Sequence, residues 1–384
     1  MIINSLLDQD LYKFTMQSAI LFEVPGVDVE FKFKCRNENI DFRPMFDEIY
    51  AQIMNLGEAT LNTGDMTFLS NLKYLKPAYL DFLQNFRLNP EKEIYVGLDG
   101  HKLDIKFKGS WVRKMMYEIF VLSIVNEVYF SRQNVDMGVA EERLQKKIQT
   151  IKDLNDPGFK FTDFGSRRRL SRQWHFHVLQ TLQKEIPTTL AGTSNVMMAK
   201  SLDLLPIGTM AHEWLCAFQS LVRVKDFQKE ALQRWSNHYR GDLGIALTDT
   251  IGIDAFLRDF DLYFAKLFNG VRHDSGDIDV FTEKVIAHYQ KLKIDPMTKS
   301  ITYSDGLTVD KAIEIYNKYH KRINVGFGIG TSLTNDTNIP PLNIVMKMVS
   351  CDGHPVAKIS DSSGKTMCED EVYVSYLKSQ FNVK

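Results

Sequence analysis

Scarce cysteine narrows the chain first. Its 384 residues hold four, Cys35, Cys216, Cys351 and Cys368, far apart and without paired spacing. That argues against a zinc cluster or a disulfide framework and fits reduced thiols in a cytoplasmic protein. An excess of one charge is also missing. The 47 basic and 48 acidic side chains nearly cancel, leaving no general attraction to nucleic acid or an anionic membrane, so any phosphate site must be local. Long apolar runs are absent too. The best candidate, Met115 to Phe130, is short for a membrane span and broken by Glu118, Asn126 and Glu127, which predicts a buried helix. The start, Met1 to Ser5, lacks a basic region and meets Asp8 and Asp10 at once, unlike a signal peptide. What is present, 44% hydrophobic and 25% charged residues without a low-complexity linker, is globular composition for one large and one smaller domain.

The first third reads as an α+β unit. Asn4-Ser5 predicts the cap of a first helix carrying Leu7, Leu11, Tyr12, Phe14 and Leu21, stopped by Pro25-Gly26. Val29 to Cys35 alternates as a half-buried strand. Glu93 to Gly97 and Leu103 to Phe107, joined by Asp99-Gly100, predict a hairpin. From about Pro157-Gly158 short apolar runs alternate with helical patterns: Phe159 to Asp163, Thr188 to Gly192, Ile207 to Met210, Leu243 to Leu247, Gly270 to Arg272, Ile301 to Tyr303, Ile323 to Phe327 and Leu342 to Val349. That grammar predicts parallel strands with helical crossovers, in a β/α barrel or in an open doubly wound sheet.

Polar residues collect where those runs end. The densest group is Arg272-His273-Asp274-Ser275-Gly276-Asp277, which is costly to bury without a ligand or mutual pairing. Phe327-Gly328-Ile329-Gly330-Thr331 follows a late strand, where barrels hold phosphate on backbone N–H groups, although a Gly-X-Gly alone is most often a turn. Arg167-Arg168-Arg169 reads either as a solvated face or as part of the site. His175 and His177, at i and i+2 of a helical pattern, point apart and make a poor metal pair. His212 directly follows a predicted strand, beside Glu213, with carboxylates at neighbouring strand ends, and is the better candidate for chemistry.

Taken in order, these blocks resemble the nicotinate phosphoribosyltransferase family, particularly its bacterial form. The resemblance runs from Asp10-Leu11-Tyr12-Lys13 through Asp163-Phe164-Gly165-Ser166-Arg167, Gly192-Thr193-Ser194-Asn195, Met210-Ala211-His212-Glu213, Arg272 to Asp277, Ser304-Asp305 and Phe327 to Thr331, to Ala357-Lys358-Ile359-Ser360-Asp361. It implies an irregular α/β barrel over residues 131–349, its site at the C-terminal strand ends, with an open-sandwich domain of residues 1–130 joined by 350–384. It further implies transfer of 5-phosphoribose from phosphoribosyl diphosphate to nicotinate, giving nicotinate mononucleotide and diphosphate as the first step of NAD salvage. ATP hydrolysis would be coupled through a phosphohistidine at His212, with Asp249 orienting the ring's second nitrogen.

The remaining expected roles follow from the same resemblance. Asp274 and Asp305 suit the ribose hydroxyls and the surroundings of the diphosphate, Arg167 and Arg272 suit phosphate or carboxylate, and Gly328, Gly330 and Thr331 the 5′-phosphate. Phe164 and Tyr12 would sandwich the pyridine ring, with Thr193, Ser194, Ser275 and Gly276 also lining the site. Mg²⁺ would arrive through the substrate phosphates, its protein ligands unassigned. The nicotinamide-specific relatives carry aspartate at the place of Ser194, where the alternative reading is a helix cap for Asn195 to Ser201. A homodimer with shared sites is implied, Tyr12 reaching the neighbouring chain. Competing readings are a barrel lyase or isomerase with a Schiff-base lysine, Lys347, and a non-enzymatic nucleotide sensor or scaffold.

Overall fold

Alternation makes the first strand: Val29, Phe31 and Phe33 are buried while Asp28, Glu30, Lys32 and Lys34 stay at least partly accessible. In the computed structural model, which describes residues 1–362 and 368–383, this strand, β1 (Asp28–Cys35), is central to an antiparallel sheet. Beside it lie β3 (Lys102–Ser110), which forms the predicted hairpin with β2 (Tyr95–Asp99), and β10 (Ile344–Cys351), edged by the short β11 (His354–Pro355). The run Leu342 to Val349 was expected among the parallel strands, but β10 pairs antiparallel with β1. Its buried Ile344 and Met346 flank the more exposed Val345 and Lys347, the pattern of a sheet with one open face. The C-terminal stretch expected to join this domain includes residues 363–367 and 384, which lie outside the described residues.

The second sheet has six parallel strands in the order β5-β4-β9-β8-β7-β6: β4 (Phe161–Asp163), β5 (Leu190–Thr193), β6 (Ile245–Leu247), β7 (Gly270–His273), β8 (Ser300–Tyr303) and β9 (Asn324–Ile329). The run Ile207 to Met210 is not a strand. It nevertheless occupies the place between the sheet's two edges, because Ile207 N–H donates to Thr193 O at 2.9 Å on the β5 side and Thr209 Oγ1 donates to Ile245 O at 3.2 Å on the β6 side. The helix Leu11–Glu23 explains the irregularity. It packs so close that a Cβ on Gly208 would lie 3.2 Å from Tyr12 N, and Thr15 Oγ1 takes Thr209 O at 2.7 Å, a carbonyl that a regular ladder would use.

That helix starts later than Asn4-Ser5 predicts, with Asp10 at its N-cap. Residues 7–11 are instead stitched to the loop after β5: Met197 N–H to Leu7 O, Val196 N–H to Gln9 O and Leu11 N–H to Ser194 O, at 2.7–3.0 Å. The expected buried helix is present as Tyr117–Ser131, and among the described residues no helix is long and apolar enough to cross a membrane.

Candidate active site

Short strands end in polar loops on one side of the parallel sheet, and there His212, Asp249 and Asp274 converge. His212 opens the helix His212–Leu221, Asp249 follows β6 and Asp274 follows β7. The His212 Nε2–H donates to Asp249 Oδ1 at 2.6 Å, and Nδ1 lies 3.7 Å from Asp274 Oδ2. Lys358, quoted above only as part of a motif, places its ammonium 2.7 Å from Asp249 Oδ2 and 3.4 Å from Asp274 Oδ2. Burial opposes the charge on both carboxylates, yet both are held below the usual range, Asp249 chiefly by His212 and Lys358 and Asp274 chiefly by Arg272 and His212. Ser275 Oγ donates to Asp249 Oδ2 at 2.6 Å and thus fixes the aspartate that fixes the histidine.

Arg272 links this cluster to an aromatic ring. Its Nε donates to Ser304 Oγ at 2.7 Å and its Nη2 to Asp274 Oδ1 at 3.1 Å, while the guanidinium stands 5.7 Å from the centroid of Phe164. Phe164 lies against β9. A Cβ on Gly328 would collide with its ring, so this glycine seats the phenyl group, while one on Gly330 would come within 3.0 Å of the Phe164 carbonyl oxygen. Gly328→Ala is therefore expected to displace the Phe164 ring and to cost about 1–3 kcal/mol of stability, the scale of overpacking. Denaturant unfolding checks it, and an unchanged midpoint contradicts it.

The three arginines after Phe164 have separate fates. Arg167 is exposed, its side chain hydrogen-bonds to no described residue, and it lies within electrostatic reach of Tyr12, Glu118, Asp10 and Asp274, which favour its charged form. Arg168 donates to Ile344 O at 2.9 Å. Arg169 is fully buried and donates twice to Asp8, at 2.6 and 2.8 Å, and once to Glu127, at 2.7 Å. Tyr12 is buried, its hydroxyl donating to Glu118 Oε2 at 3.4 Å. Beside it, Lys13 is buried between Glu118 (2.6 Å) and Glu213 (2.8 Å), which also accepts from Trp111 Nε1 at 2.7 Å.

Other expected residues are placed differently. Thr193 is buried and donates to Asp163 Oδ2 at 2.6 Å, the oxygen that also meets His175 Nε2 at 2.7 Å. Ser194 does not cap the following helix; Asn195 does, and Ser194 Oγ donates to buried Asp10 at 2.7 Å. Gly276 takes φ +85° against the C-terminal segment. Asp305 and Thr331 are half-buried just past β8 and β9. Lys347, needed at a barrel strand end by a lyase reading, lies on β10 opposite Lys32. His212, Asp249 and Asp274 have ligand atoms within 4.8 Å of one another, but the ammonium of Lys358 already supplies the cation there. Mg²⁺ prefers an octahedron of oxygens, so this trio fits it poorly.

The sequence and the fold match known proteins. Residues 159–384 match the family model described as "Nicotinate phosphoribosyltransferase (NAPRTase) family", and residues 7–126 match its N-terminal domain. The chain belongs to the nicotinate phosphoribosyltransferase family. It is 49% identical to the nicotinate phosphoribosyltransferase of Chromobacterium violaceum, over 100% of this chain and 98% of that one, and 48% identical to that of Acinetobacter baumannii with the same coverage. The crystal structure of nicotinate phosphoribosyltransferase from Vibrio cholerae superposes with a TM-score of 0.95 at 40% identity, covering 100% of this chain and 95% of that one. The Porphyromonas gingivalis enzyme gives 0.94 at 36%, covering 99% and 100%. A nicotinate phosphoribosyltransferase of this family therefore carries the strand-end cluster of His212, Asp249, Asp274 and Lys358.

Proposed function

We propose that this chain transfers 5-phosphoribose from phosphoribosyl diphosphate to the ring nitrogen of nicotinate, and that ATP drives the transfer by phosphorylating His212. The observation that carries the second part is the geometry of the ring: Nε2 gives its hydrogen to Asp249 at 2.6 Å, which leaves the lone pair on Nδ1. That lone pair attacks the γ-phosphorus of ATP, the bond to the β,γ-bridging oxygen breaks with its electrons leaving on ADP, and the Nε2 proton stays against Asp249. Water later cleaves the N–P bond.

In the transfer step the pyridine nitrogen attacks C1′ of the ribose and diphosphate leaves with the C1′–O electron pair. No proton is lost from the nucleophile, so no general base is needed; the site must hold an oxocarbenium-like ribose and the departing anion. Asp274 and Asp305 take the ribose hydroxyls, Arg272 faces the anionic side, and Gly330 with Thr331 presents backbone to the 5′-phosphate. Mg²⁺ neutralises the diphosphate it accompanies. Phe164 and Tyr12 stack on the pyridine, and exposed Arg167 meets the nicotinate carboxylate.

This arrangement predicts strong preference for nicotinate over nicotinamide. An aspartate at position 194 sets a second carboxylate against Asp10, near Arg167, and repels the substrate's own. Ser194→Asp is expected to cost nicotinate about 100-fold or more in kcat/KM while changing nicotinamide use little. Comparable efficiencies on the two substrates in the wild-type protein would contradict the assignment.

A further inference from the structure

Lys358 reaches the site on a strap that crosses the ends of β6 and β7. Ala357 exchanges hydrogen bonds with the Gln219 amide (2.9 and 2.7 Å), Ile359 N–H donates to Thr250 O at 2.7 Å, and Asp361 accepts from Ile253 N–H at 3.0 Å. Gly252 and Gly276, at φ +90° and +85°, make room, since a Cβ on either would lie 2.9 Å from an Asp361 side-chain atom. The chain is therefore pinned on both sides of Lys358, whose side chain is 11% exposed.

We propose that Lys358 is a positioning residue that keeps the His212 Nδ1 lone pair available for phosphoryl transfer by holding the two carboxylates that flank the imidazole. The proposal deepens the reading of His212 as phosphoryl acceptor and rests on it. Carboxylates lie at both ring nitrogens, Asp249 2.6 Å from Nε2 and Asp274 3.7 Å from Nδ1. Two such anions favour an imidazolium that donates from both nitrogens, and an imidazolium has no lone pair with which to attack phosphorus. An ammonium 2.7 Å from one carboxylate and 3.4 Å from the other offsets that pull. One proton, on Nε2, is then sufficient. Among the described residues, the other charged or titratable groups facing the cluster are Arg272 and Arg167 toward Asp274, His273 at the end of β7, Asp361 on the strap, and Cys216 and Glu213 on the His212 helix; Glu213 is already matched by Lys13 and burial pushes the Cys216 thiol up to about 12.

The test follows the rate of acid-labile phosphate incorporation from γ-labelled ATP across pH in the full-length wild-type, Lys358→Gln and Lys358→Arg proteins. The Gln variant is expected to be slowed at least tenfold near pH 7, with the acid limb of its profile moved up by about 1–2 pH units, the usual effect of a nearby charge. The Arg variant, which keeps the cation, retains the wild-type limb. Lys358→Gln combined with Asp274→Asn removes anion and cation together and brings the limb back, which separates this role from simple loss of folding. An unshifted limb in Lys358→Gln, whether or not the rate falls, overturns the role of Lys358 alone. No incorporation by the wild-type protein overturns the phosphohistidine reading and this proposal with it.

Discussion

His212→Asn protein is expected to lose all stimulation by ATP and all acid-labile phosphate incorporation, while slow ATP-independent formation of nicotinate mononucleotide persists. Asparagine can still donate from its amide to Asp249, so the buried carboxylate keeps a partner and the fold is spared. What disappears is the ring nitrogen placed opposite that aspartate, and the Lys358 amine cannot replace it because burial's pull is outweighed by Asp249 and Asp274, which hold it as an ammonium. The drop in ATP-dependent rate should reach about 100-fold or more, the scale expected when a positioned reacting group is removed. Phosphate incorporation at the wild-type rate in this variant would remove His212 from the mechanism.

Arg169→Met should cost about 3–5 kcal/mol of stability, because it strands two buried carboxylates rather than removing a surface charge. Arg169 and Asp8 are both fully buried, and Asn195 Nδ2 is the other side-chain donor to Asp8, at 2.9 Å. The loss also reaches function: Asp8 lies in the segment sewn to the loop after β5, two residues before Asp10 and four before Tyr12. Asp8→Asn combined with Arg169→Met should recover part of the stability, since one of the two stranded charges is then gone while Glu127 remains, and denaturant unfolding of the two single variants and the double measures the coupling. A loss below about 1 kcal/mol in Arg169→Met would show that the pair carries little of the fold.

The parallel sheet was legible because each short apolar run closes on polar residues, as at Leu247 before Thr248-Asp249 and His273 before Asp274. The segment Ile207 to Met210 shares that pattern and still is no strand, since the packed helix Leu11–Glu23 takes up Thr209 O through Thr15 and crowds Gly208, a tertiary competition that local pattern does not register. The arginine run illustrates the same limit. Arg167, Arg168 and Arg169 are adjacent in sequence, yet the tight turn Ser166–Arg168 sends one into the cleft, one to the backbone of β10 and one into the core. Their composition alone reads as a single basic patch. Lys358 meets Asp274 across a separation of 84 residues, so its part in the cluster emerges only from the strap that brings the chain back over the strand ends. The bond from Ser194 to Asp10 depends on a pairing 184 residues apart, where the local helix start suggests a cap.

The most direct test is to incubate the purified chain with nicotinate, phosphoribosyl diphosphate, Mg²⁺ and ATP and to follow nicotinate mononucleotide and ADP together by chromatography and mass spectrometry. Nicotinate mononucleotide should appear with diphosphate one for one, at a rate raised by ATP and with ADP formed alongside. Absence of nicotinate mononucleotide under these conditions, in protein shown to be folded, would contradict the account at its centre.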